Sequence, residues 1–529
     1  MLPELRELSR ECDIDKADAG EPGRTTPAEE VKHRTRLRYH HRIFLGDGNA
    51  APAPARGVWC DLDVGDAKPV AQRPQSSAPH LAVKVYELLK KLLETGLIEH
   101  SGSPWVSPIV IVLKKNGMDI RMCIDYRVVN GFIQLSNYPL PLIDDLLIGF
   151  ESAMWFMSLV MASGFWIRMT ERAKMTSDFF CPFGHFQWGF RLVSPEGVVE
   201  VDQDVLEFLG LDPFNREDSG SQVSALTHTV TVFQRNIPAR ASMGPVLGRS
   251  SYIDDVAHGA PTWDRLCDDL DALLFRFRYW NISVSLLKSE FGKLYIPYLS
   301  HEISAGGIRA VPKIAKGVQN LPFPKTLKGV RAFLRSLNYH HKFIEDFPVM
   351  ATVLYELSAD QVRSERDLTR AKAAFEILKK KIVSKPLLRH PDRSKPFVII
   401  PHANRWAACA VLGQAHDGSI QPMRFTGRVL NDAELRYHVA EKEVIAVLRV
   451  LQVFLTLLEG CCLEVYRRHS VFKWILQSKP TDGRCVPWGL YPHTGISQSR
   501  RSNVMRTAWR PSWVQGLLLE SIGTKSQNH

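Results

Sequence analysis

The sequence predicts an α+β protein of several domains, and three features of the 529-residue chain indicate this class. Hydrophobic residues make up 45% of the chain and charged residues 23%, which is typical of globular proteins that bury cores. Apolar segments of strand length recur, and segments with apolar residues three and four positions apart lie between them. At about 150 residues per domain, the length allows three or four domains.

The charge, the cysteine spacing and the absence of long apolar runs predict the class of partner and the compartment of the protein. Lys and Arg number 67 against 56 Asp and Glu, a net charge of +11 that fits a polyanionic partner. The nine cysteines show no zinc-type spacing, so we expect reduced thiols. No apolar run reaches membrane-spanning length and the start lacks a signal core, which predicts a cytoplasmic or nuclear protein with no membrane partner.

The first half of the chain predicts a loose segment followed by a hairpin. Residues 1–75 are polar without a sustained period and are predicted to be a disordered leader or linker. Their Arg- and His-rich run at 34–42 could contact phosphate or form a solvated helix face. Strands at 109–113 and 120–124 flank Asn116-Gly117, a strong hairpin signal. The hairpin brings together Lys114 and Arg121, which could hold a triphosphate or simply keep an edge strand soluble.

The centre of the chain contains a candidate metal site. Asp254 and Asp255 follow Tyr252-Ile253, and neighbouring like charges favour a bound divalent cation such as Mg²⁺. The alternative is a chance Asp-Asp at a turn, and Asp144-Asp145 and Asp268-Asp269 show that the dipeptide also occurs elsewhere. Residues 190–250 show no pattern and are predicted to be an insertion or loop. Helices follow from Thr262 and Thr326, and a second α/β unit begins at Pro396.

Many ordered motifs resemble the polymerase region of Gypsy-type LTR retrotransposons, in which a ribonuclease H region follows a reverse transcriptase. The resemblance covers about residues 58–478. It depends on these segments, in this order: Gly96-Leu97-Ile98, Ser103-Pro104-Trp105-Val106-Ser107-Pro108, Arg121 to Asn130, Tyr138-Pro139-Leu140-Pro141, Phe183-Gly184-His185-Phe186, Tyr252-Ile253-Asp254-Asp255, Tyr298-Leu299-Ser300-His301, Phe333 to Ile344, Lys395-Pro396-Phe397 and Leu430 to Glu443.

The resemblance implies a right-hand polymerase with fingers, palm and thumb, followed by a connection and an α/β ribonuclease H-like domain. The expected boundaries are 1–75 for the leader, 76–305 for fingers and palm, with a divergent insertion or deletion at 190–250, and 306–365 for thumb and connection. The ribonuclease H-like domain is expected at 366–478 and an unstructured tail at 479–529.

The resemblance also implies roles for individual residues. Asp254 and Asp255 would bind Mg²⁺, and Lys288 would give a proton to the leaving pyrophosphate. Lys114, Arg121 and Phe165 would contact the deoxynucleoside triphosphate, and an RNA/DNA primer–template would be the other partner. Phe165 as plain core and Lys288 as a solvated charge remain the alternatives. Glu443 would be a catalytic carboxylate of the ribonuclease H-like domain.

The sequence departs from the family at both expected metal sites. Val160 holds the position of the first palm carboxylate, and valine cannot ligate a metal. His402 and Arg468 replace two carboxylates of the ribonuclease H site. After Trp188 the helix expected under the template base pair is missing, so the palm is expected to lack a packed layer.

The sequence therefore predicts a retrotransposon-derived reverse transcriptase, an RNA-directed DNA polymerase, whose copy here is impaired or inactive and binds Mg²⁺ weakly. The rival hypothesis is a non-catalytic nucleic-acid-binding remnant, and a third is a decayed reading frame that does not fold. The sequence leaves the oligomeric state open.

Overall fold

The computed structural model describes residues 12–45, 55, 58–73, 79–94, 96–113, 120–134, 143–161, 168–189, 202–209, 233–235, 251–364, 368–384, 387–467 and 496–501. The chain forms two units. Unit 1 comprises Met1–Pro141 and Trp155–Lys293, and unit 2 comprises Leu142–Met154 and Leu294–His529. In the part of the chain that the structure describes, no helix has the length and apolar character needed to cross a membrane.

Unit 1 contains fifteen described strands and five described helices. The strands are β1 (Asp18–Ala19), β2 (Phe44–Leu45), β3 (Val58–Cys60), β4 (Ile98–His100), β5 (Ser107–Leu113), β6 (Ile120–Ile124), β7 (Trp155–Val160), β8 (Arg168–Met169), β9 (Phe179–Cys181), β10 (Gly184–Trp188), β11 (Phe233–Arg235), β12 (Ser251–Tyr252), β13 (Asp255–Ala260), β14 (Val284–Ser285) and β15 (Glu290–Lys293). The helices are α1 (Pro27–Tyr39), α2 (Pro79–Glu94), α4 (Glu171–Thr176), α5 (Gln203–Leu209) and α6 (Trp263–Trp280).

A five-stranded sheet in the order β1-β15-β7-β13-β12 carries the candidate site of unit 1. Met157 and Leu159 of β7 pack into one core with Leu266, Leu270 and other apolar residues of α6. The apolar stripe of α6 follows helical spacing, and the Thr262 side chain caps its start by accepting the amide of Arg265. Ser158 and Val160 alternate with Met157 and Leu159 along β7, so they lie on the opposite face of the sheet.

The hairpin predicted at 109–124 forms, with β5 and β6 antiparallel and Val112 opposite Arg121. Ile120, Met122 and Ile124 face a core that also contains Val85 of α2 and Phe186 of β10, in accordance with their alternation in the sequence. The predicted turn at Asn116-Gly117 lies outside the described residues.

The prediction of a loose leader is wrong for residues 12–45, which fold onto unit 1. A capping box between Thr26 and Glu29 starts α1, and Leu37 and Phe44 are buried in the core that α6 shares. In the run 34–42, predicted to be a solvated face, Arg36 instead pairs with Asp268 at 2.8 Å and Asp271 at 2.9 Å on α6, and Lys32, just before the run, contacts Asp264. Sequence periodicity missed this helix because its apolar face is narrow, with His33 and Leu37 as its buried residues.

Residues 190–250 also contain structure within the described part. In α5, Val205 and Leu209 pack against Phe275 of α6, and Phe208 stacks on Phe275 with ring centroids 4.1 Å apart. Asp204 anchors α5 by accepting from Arg278 at 2.6 Å. The segment 202–209 is therefore ordered on α6, whereas residues 190–201, directly after Trp188 and Gly189, lie outside the described residues, so the expected loss of a packed layer in the palm stays a prediction.

Unit 2 contains eight described strands and eight described helices. The strands are β16 (Tyr295–Tyr298), β17 (His301–Ser304), β18 (Gly307–Ala310), β19 (Phe397–Ala403), β20 (Ala407–His416), β21 (Ser419–Val429), β22 (Leu463–Arg467) and β23 (Ile496–Arg501). The helices are α3 (Ile143–Leu146), α7 (Pro312–Gln319), α8 (Leu327–Asn338), α9 (Phe347–Tyr355), α10 (Ala359–Ser364), α11 (Thr369–Val383), α12 (Val439–Val453) and α13 (Leu455–Leu458).

The second sheet of unit 2 has the order β21-β20-β19-β22-β23, and α12 packs on it through a core that includes Phe397, Ile399 and Val447. This matches the α/β unit predicted from Pro396. The predicted unstructured tail differs at β23, which pairs in parallel with β22. Such pairing covers an edge of β22 that would otherwise leave backbone groups unpaired.

Candidate active site

The Asp254-Asp255 pair lies at a tight hairpin between β12 and β13. Tyr252 pairs with Asp255 across the turn, so Ile253 and Asp254 form the two-residue connection. Ile253 has φ +55°, a conformation that a β-branched residue rarely adopts, and the residue is 51% exposed. The turn joins the edge strand β12 to β13, so Asp254 lies in the turn and Asp255 at the start of β13. Backbone conformations of this kind cluster at functional sites.

The two carboxylates repel each other. Burial, followed by the nearby charge of Asp254, raises the pKa of Asp255. Among the described residues, no basic side chain forms an ion pair with Asp254 or Asp255. A cation bound here would relieve this repulsion.

Val160 lies directly beside the pair. Antiparallel pairing of β7 with β13 places Val160 opposite Asp255, and the Met161 amide donates to the Asp254 carbonyl at 2.8 Å. Directly opposite residues have Cβ atoms about 4.5–5.5 Å apart. An isopropyl group at this position fills space next to Asp255 but supplies no oxygen to a metal.

Ser289 connects this strand end to the segment that bears Lys288. Its buried hydroxyl accepts the Val160 amide at 3.1 Å and donates to the Ser285 carbonyl at 2.7 Å. Lys288 ends the short 3-10 turn Leu286–Lys288 and has an exposed side chain. The position of Lys288 is therefore fixed relative to Val160 by its neighbour, although its role in proton transfer stays a prediction.

Glu290 is a carboxylate on the same face that sequence spacing did not reveal. In the register of β15 with β7 it lies opposite Ser158, two residues before Val160. Burial and then the charge of Asp18 raise the pKa of Glu290, and Lys293 partly offsets them. The charges that act on Glu290 are therefore those of β1 and its surroundings, and not those of Asp254 and Asp255. We conclude that Glu290 does not serve as a third carboxylate beside Asp254 and Asp255.

The predicted nucleotide-binding residues are described only in part. Lys114 and Phe165 lie outside the described residues. Arg121 is placed by its backbone alone, opposite Val112 on β6. Their joint contact with a triphosphate stays a prediction.

The predicted ribonuclease H residues separate onto two faces of the second sheet. Glu443 is buried on α12, which packs on the face of Phe397 and Ile399. His402 alternates with these residues and faces Asp346, with Nδ1 and Oδ1 3.6 Å apart. Cys409 lies opposite His402 in the register and, with Asp346, lines a cavity of about 10 Å³. Arg468 lies outside the described residues.

These donor sets do not fit a two-magnesium centre. Among the described residues, no group of three or more His, Cys, Asp or Glu side chains is arranged to hold a metal ion. Mg²⁺ prefers six oxygen ligands and a two-metal site needs bridging carboxylates, whereas Asp254 and Asp255 offer two carboxylates next to an aliphatic side chain.

Sequence reasoning missed Ser289, Glu290 and Asp346, because each depends on strand register or on a contact distant in sequence. The signal available for Ser289 and Glu290 was their place directly after Lys288. Asp346 carried no signal in the linear pattern.

Comparison with known proteins agrees with this architecture. A family model described as an RNase H-like domain found in reverse transcriptase matches residues 392–491. The Retrovirus-related Pol polyprotein from transposon opus of Drosophila melanogaster is 29% identical over 449 residues, covering 82% of this chain and 42% of that protein. The Transposon Tf2-3 polyprotein of Schizosaccharomyces pombe is 26% identical over 450 residues, covering 83% of this chain and 31% of that protein.

Solved structures show the same fold. The foamy viral protease-reverse transcriptase dRH in complex with ds DNA has a TM-score of 0.72 at 18% identity, covering 96% of this chain and 84% of that one. The foamy viral enzyme in complex with RNA/DNA hybrid has a TM-score of 0.69 at 18% identity, covering 96% and 66%. This chain spans less than half the length of the curated relatives that it matches. The chain is thus similar to the Pol polyproteins of retrotransposons over about four-fifths of its length, and it has the fold of a reverse transcriptase with an RNase H-like region.

Proposed function

We propose that this chain is a degenerate, Gypsy-type reverse transcriptase that binds primer–template nucleic acid but has lost most or all of its RNA-directed DNA polymerase activity. The observation that carries the proposal is the register of Val160 opposite Asp255. Without an oxygen ligand at this position, Mg²⁺ binds weakly between Asp254 and Asp255. Loss of a bridging ligand that costs about 4 kcal/mol lowers the rate by roughly three orders of magnitude.

A basic surface on unit 2 supports nucleic-acid binding. The sequence contains no acidic residue between Glu302 and Glu345. On α8, Lys328, Arg331 and Arg335 are exposed at helical spacing, and none of them has an acidic partner in the described part of the chain. Such a stripe attracts the phosphate backbone of a polynucleotide. The DNA and RNA/DNA hybrid in the foamy viral structures support the same partner class.

The remaining features follow from this assignment. Deoxynucleoside triphosphates are the proposed small-molecule substrate, with Lys114, Arg121 and Phe165 as their contacts and Lys288 as proton donor. The ribonuclease H-like region retains Glu443 but has His402 and Arg468 at two metal-ligand positions, so cleavage is lost as well. The proposed compartment is the cytoplasm or nucleus.

Primer extension on an RNA template with Mg²⁺ tests the proposal. We expect salt-dependent binding of the primer–template by the unaltered chain and no measurable incorporation. Val160→Asp should strengthen Mg²⁺ binding, whereas the matched variant Val160→Asn should not. Incorporation by the unaltered chain at a rate typical of active polymerases would overturn the claim of impairment.

Binding is tested separately. Replacing Lys328, Arg331 and Arg335 with Gln should reduce the slope of log affinity against log salt by about 0.9 for each phosphate that the variant no longer neutralises. Arg309→Gln is the control, because Arg309 is already paired with Glu302. Binding without extension even after Val160→Asp favours the rival hypothesis of a non-catalytic binding remnant. A broad, uncooperative melt favours a decayed reading frame.

A further inference from the structure

Two buried cations in unit 2 share one carboxylate. Lys342, in the short 3-10 turn His341–Phe343, has a side chain 6% exposed, and Arg424 on β21 has one 3% exposed. The Lys342 Nζ lies 2.6 Å from Asp144 Oδ1, and the Arg424 Nε lies 3.6 Å from the same oxygen. Asp144 comes from α3 and its side chain is 39% exposed. The site thus opens towards solvent at the carboxylate.

The site has more donors than acceptors. Lysine offers three N–H donors and arginine five. Apart from Asp144, the hydrogen bond that the structure gives Arg424 is one from Nη1 to the Met423 carbonyl at 2.7 Å. Asp144 is the one acidic side chain within ion-pair distance of either cation among the described residues. Two buried positive charges therefore face one negative charge, an arrangement that costs stability unless an anion remains in place.

The buried His301 lies in the same region of unit 2 and is uncharged. His301 is fully buried, and its ring lies near those of His340 and Phe343. Burial, followed by the charge of Lys342, lowers the pKa of His301 to about 2, so its ring is neutral. Its two ring nitrogens make no hydrogen bond of standard geometry with described residues, although the Leu299 carbonyl is close enough to raise the pKa slightly. A neutral imidazole can donate one further N–H to an anion.

We propose that Lys342 and Arg424 form an oxyanion-binding site that Asp144 occupies from within the chain. The ligand class is a small carboxylate or phosphate, because the site is lined by cationic and N–H donors and holds a carboxylate now. When Asp144 is truncated, a free oxyanion should enter from the exposed side. A polynucleotide phosphate has the same chemistry, and the probes below separate the two sources.

Rescue of a truncated variant tests the site. Asp144→Ala is refolded as the full chain, and its Tm is measured with sodium formate, with sodium phosphate and with sodium chloride at equal ionic strength. Formate or phosphate at about ten times its Kd should raise the Tm by about 3 to 6 °C over chloride. A short single-stranded oligonucleotide at the same phosphate concentration serves as the second source.

The neighbouring carboxylate provides the control. Asp145 accepts from the Thr456 hydroxyl at 2.7 Å and pairs with no cation in the described residues, so formate should not rescue Asp145→Ala. Rescue by formate or phosphate of Asp144→Ala alone supports a free oxyanion site, and rescue by the oligonucleotide alone assigns the site to the polynucleotide backbone. Equal rescue of both variants, no rescue of either, or an Asp144→Ala chain that does not refold with any anion would each overturn the proposal.

Discussion

Two of the three Asp-Asp dipeptides in the chain, Asp144-Asp145 and Asp254-Asp255, lie in opposite surroundings. Asp144 contacts Lys342 and Arg424, and Asp145 accepts a hydrogen bond from Thr456. Asp254 and Asp255 have no ion-pair partner among the described residues, and their neighbour across the strand is Val160. In the first pair the protein itself supplies cations to Asp144, whereas the second pair depends on a cation from solution. Partners distant in sequence, and not the dipeptide, therefore decide whether adjacent carboxylates stabilise a fold.

Acid should have its largest effect in unit 2, through the buried side chains of His301, His340 and His390. Burial is the main cause that lowers the pKa of His340 to about 4 and that of His390 to about 4. An unfolded histidine has a pKa near 6.5, so the unfolded chain binds protons first as the pH falls. The free energy of unfolding of unit 2 should therefore fall between pH 6.5 and 4, by on the order of 3 kcal/mol for each histidine.

Urea unfolding at pH 4 to 7 measures this effect. His340→Gln and His390→Gln should each reduce the pH dependence, and the part that remains belongs to His301, whereas a change at the exposed His41 should leave the pH dependence unchanged. If stability is constant across this window, the buried histidines are protonated without cost, and water reaches them more easily than their burial indicates.

The next largest effect should come from Asp144→Asn. Burial alone would raise the pKa of Asp144, but Lys342 and Arg424 more than offset it and lower the pKa. Removing this charge leaves two buried cations without an anion, so we expect a loss of about 2–4 kcal/mol in the free energy of unfolding. The value lies towards the low end for buried pairs because the Asp144 side chain is 39% exposed.

The Asp144→Asn variant also has a pH signature. A carboxyl group whose pKa is lowered by folding stabilises the fold at pH values above its pKa in the unfolded chain. This contribution is lost as the pH falls through the pKa of the group in the folded protein. The difference between wild type and variant should thus be largest near neutral pH and shrink in acid. Asp145→Asn should cost less at every pH, and equal losses would show that Asp144 is not the specific counter-ion.

Ser289→Ala should weaken the region around Asp254 and Asp255 by about 1–2 kcal/mol. The substitution removes the acceptor for the Val160 amide and leaves that buried donor without its hydrogen bond. Hydrogen exchange at the Val160 amide measures the loss locally, and Ser289→Thr, which keeps the hydroxyl, is the control. Unchanged protection in Ser289→Ala would show that another group holds the end of β7.

Motif order predicted the fold well because it depends on local patterns. The alternation of Ile120, Met122 and Ile124 gave the hairpin, and the helical spacing of Leu266, Leu270 and Leu273 gave α6. The α/β unit after Pro396 was predicted for the same reason. In each case the side chains that determine the element lie within a few residues of one another.

The candidate site was less predictable because it is assembled across strands. The substitution at Val160 was visible in sequence, but the absence of a replacement could be judged only from register, which places Glu290 opposite Ser158. The structure of residues 12–45 was missed because α1 is stabilised by carboxylates of α6, Asp264 and Asp268, that lie 232 positions from their partners in the sequence. The amino-acid pattern around α1 does not reveal partners that are so distant in the sequence.

The smallest effect is expected at Asp255→Asn, and its sign is opposite to that at Asp144. The pKa of Asp255 is raised, so its charge destabilises the fold at neutral pH, and protonation relieves that cost as the pH falls through the folded pKa. Asp255→Asn should therefore stabilise unit 1 by about 0.5 kcal/mol at pH 7, consistent with a partly exposed like-charge pair, and by nothing near pH 3. Urea unfolding at both pH values, with Mg²⁺ and with EDTA, measures the change. A loss of stability in EDTA at pH 7 would mean that a group within the protein already neutralises Asp255. A loss confined to Mg²⁺ would show that the carboxylate pair still binds the metal tightly without an oxygen ligand from Val160.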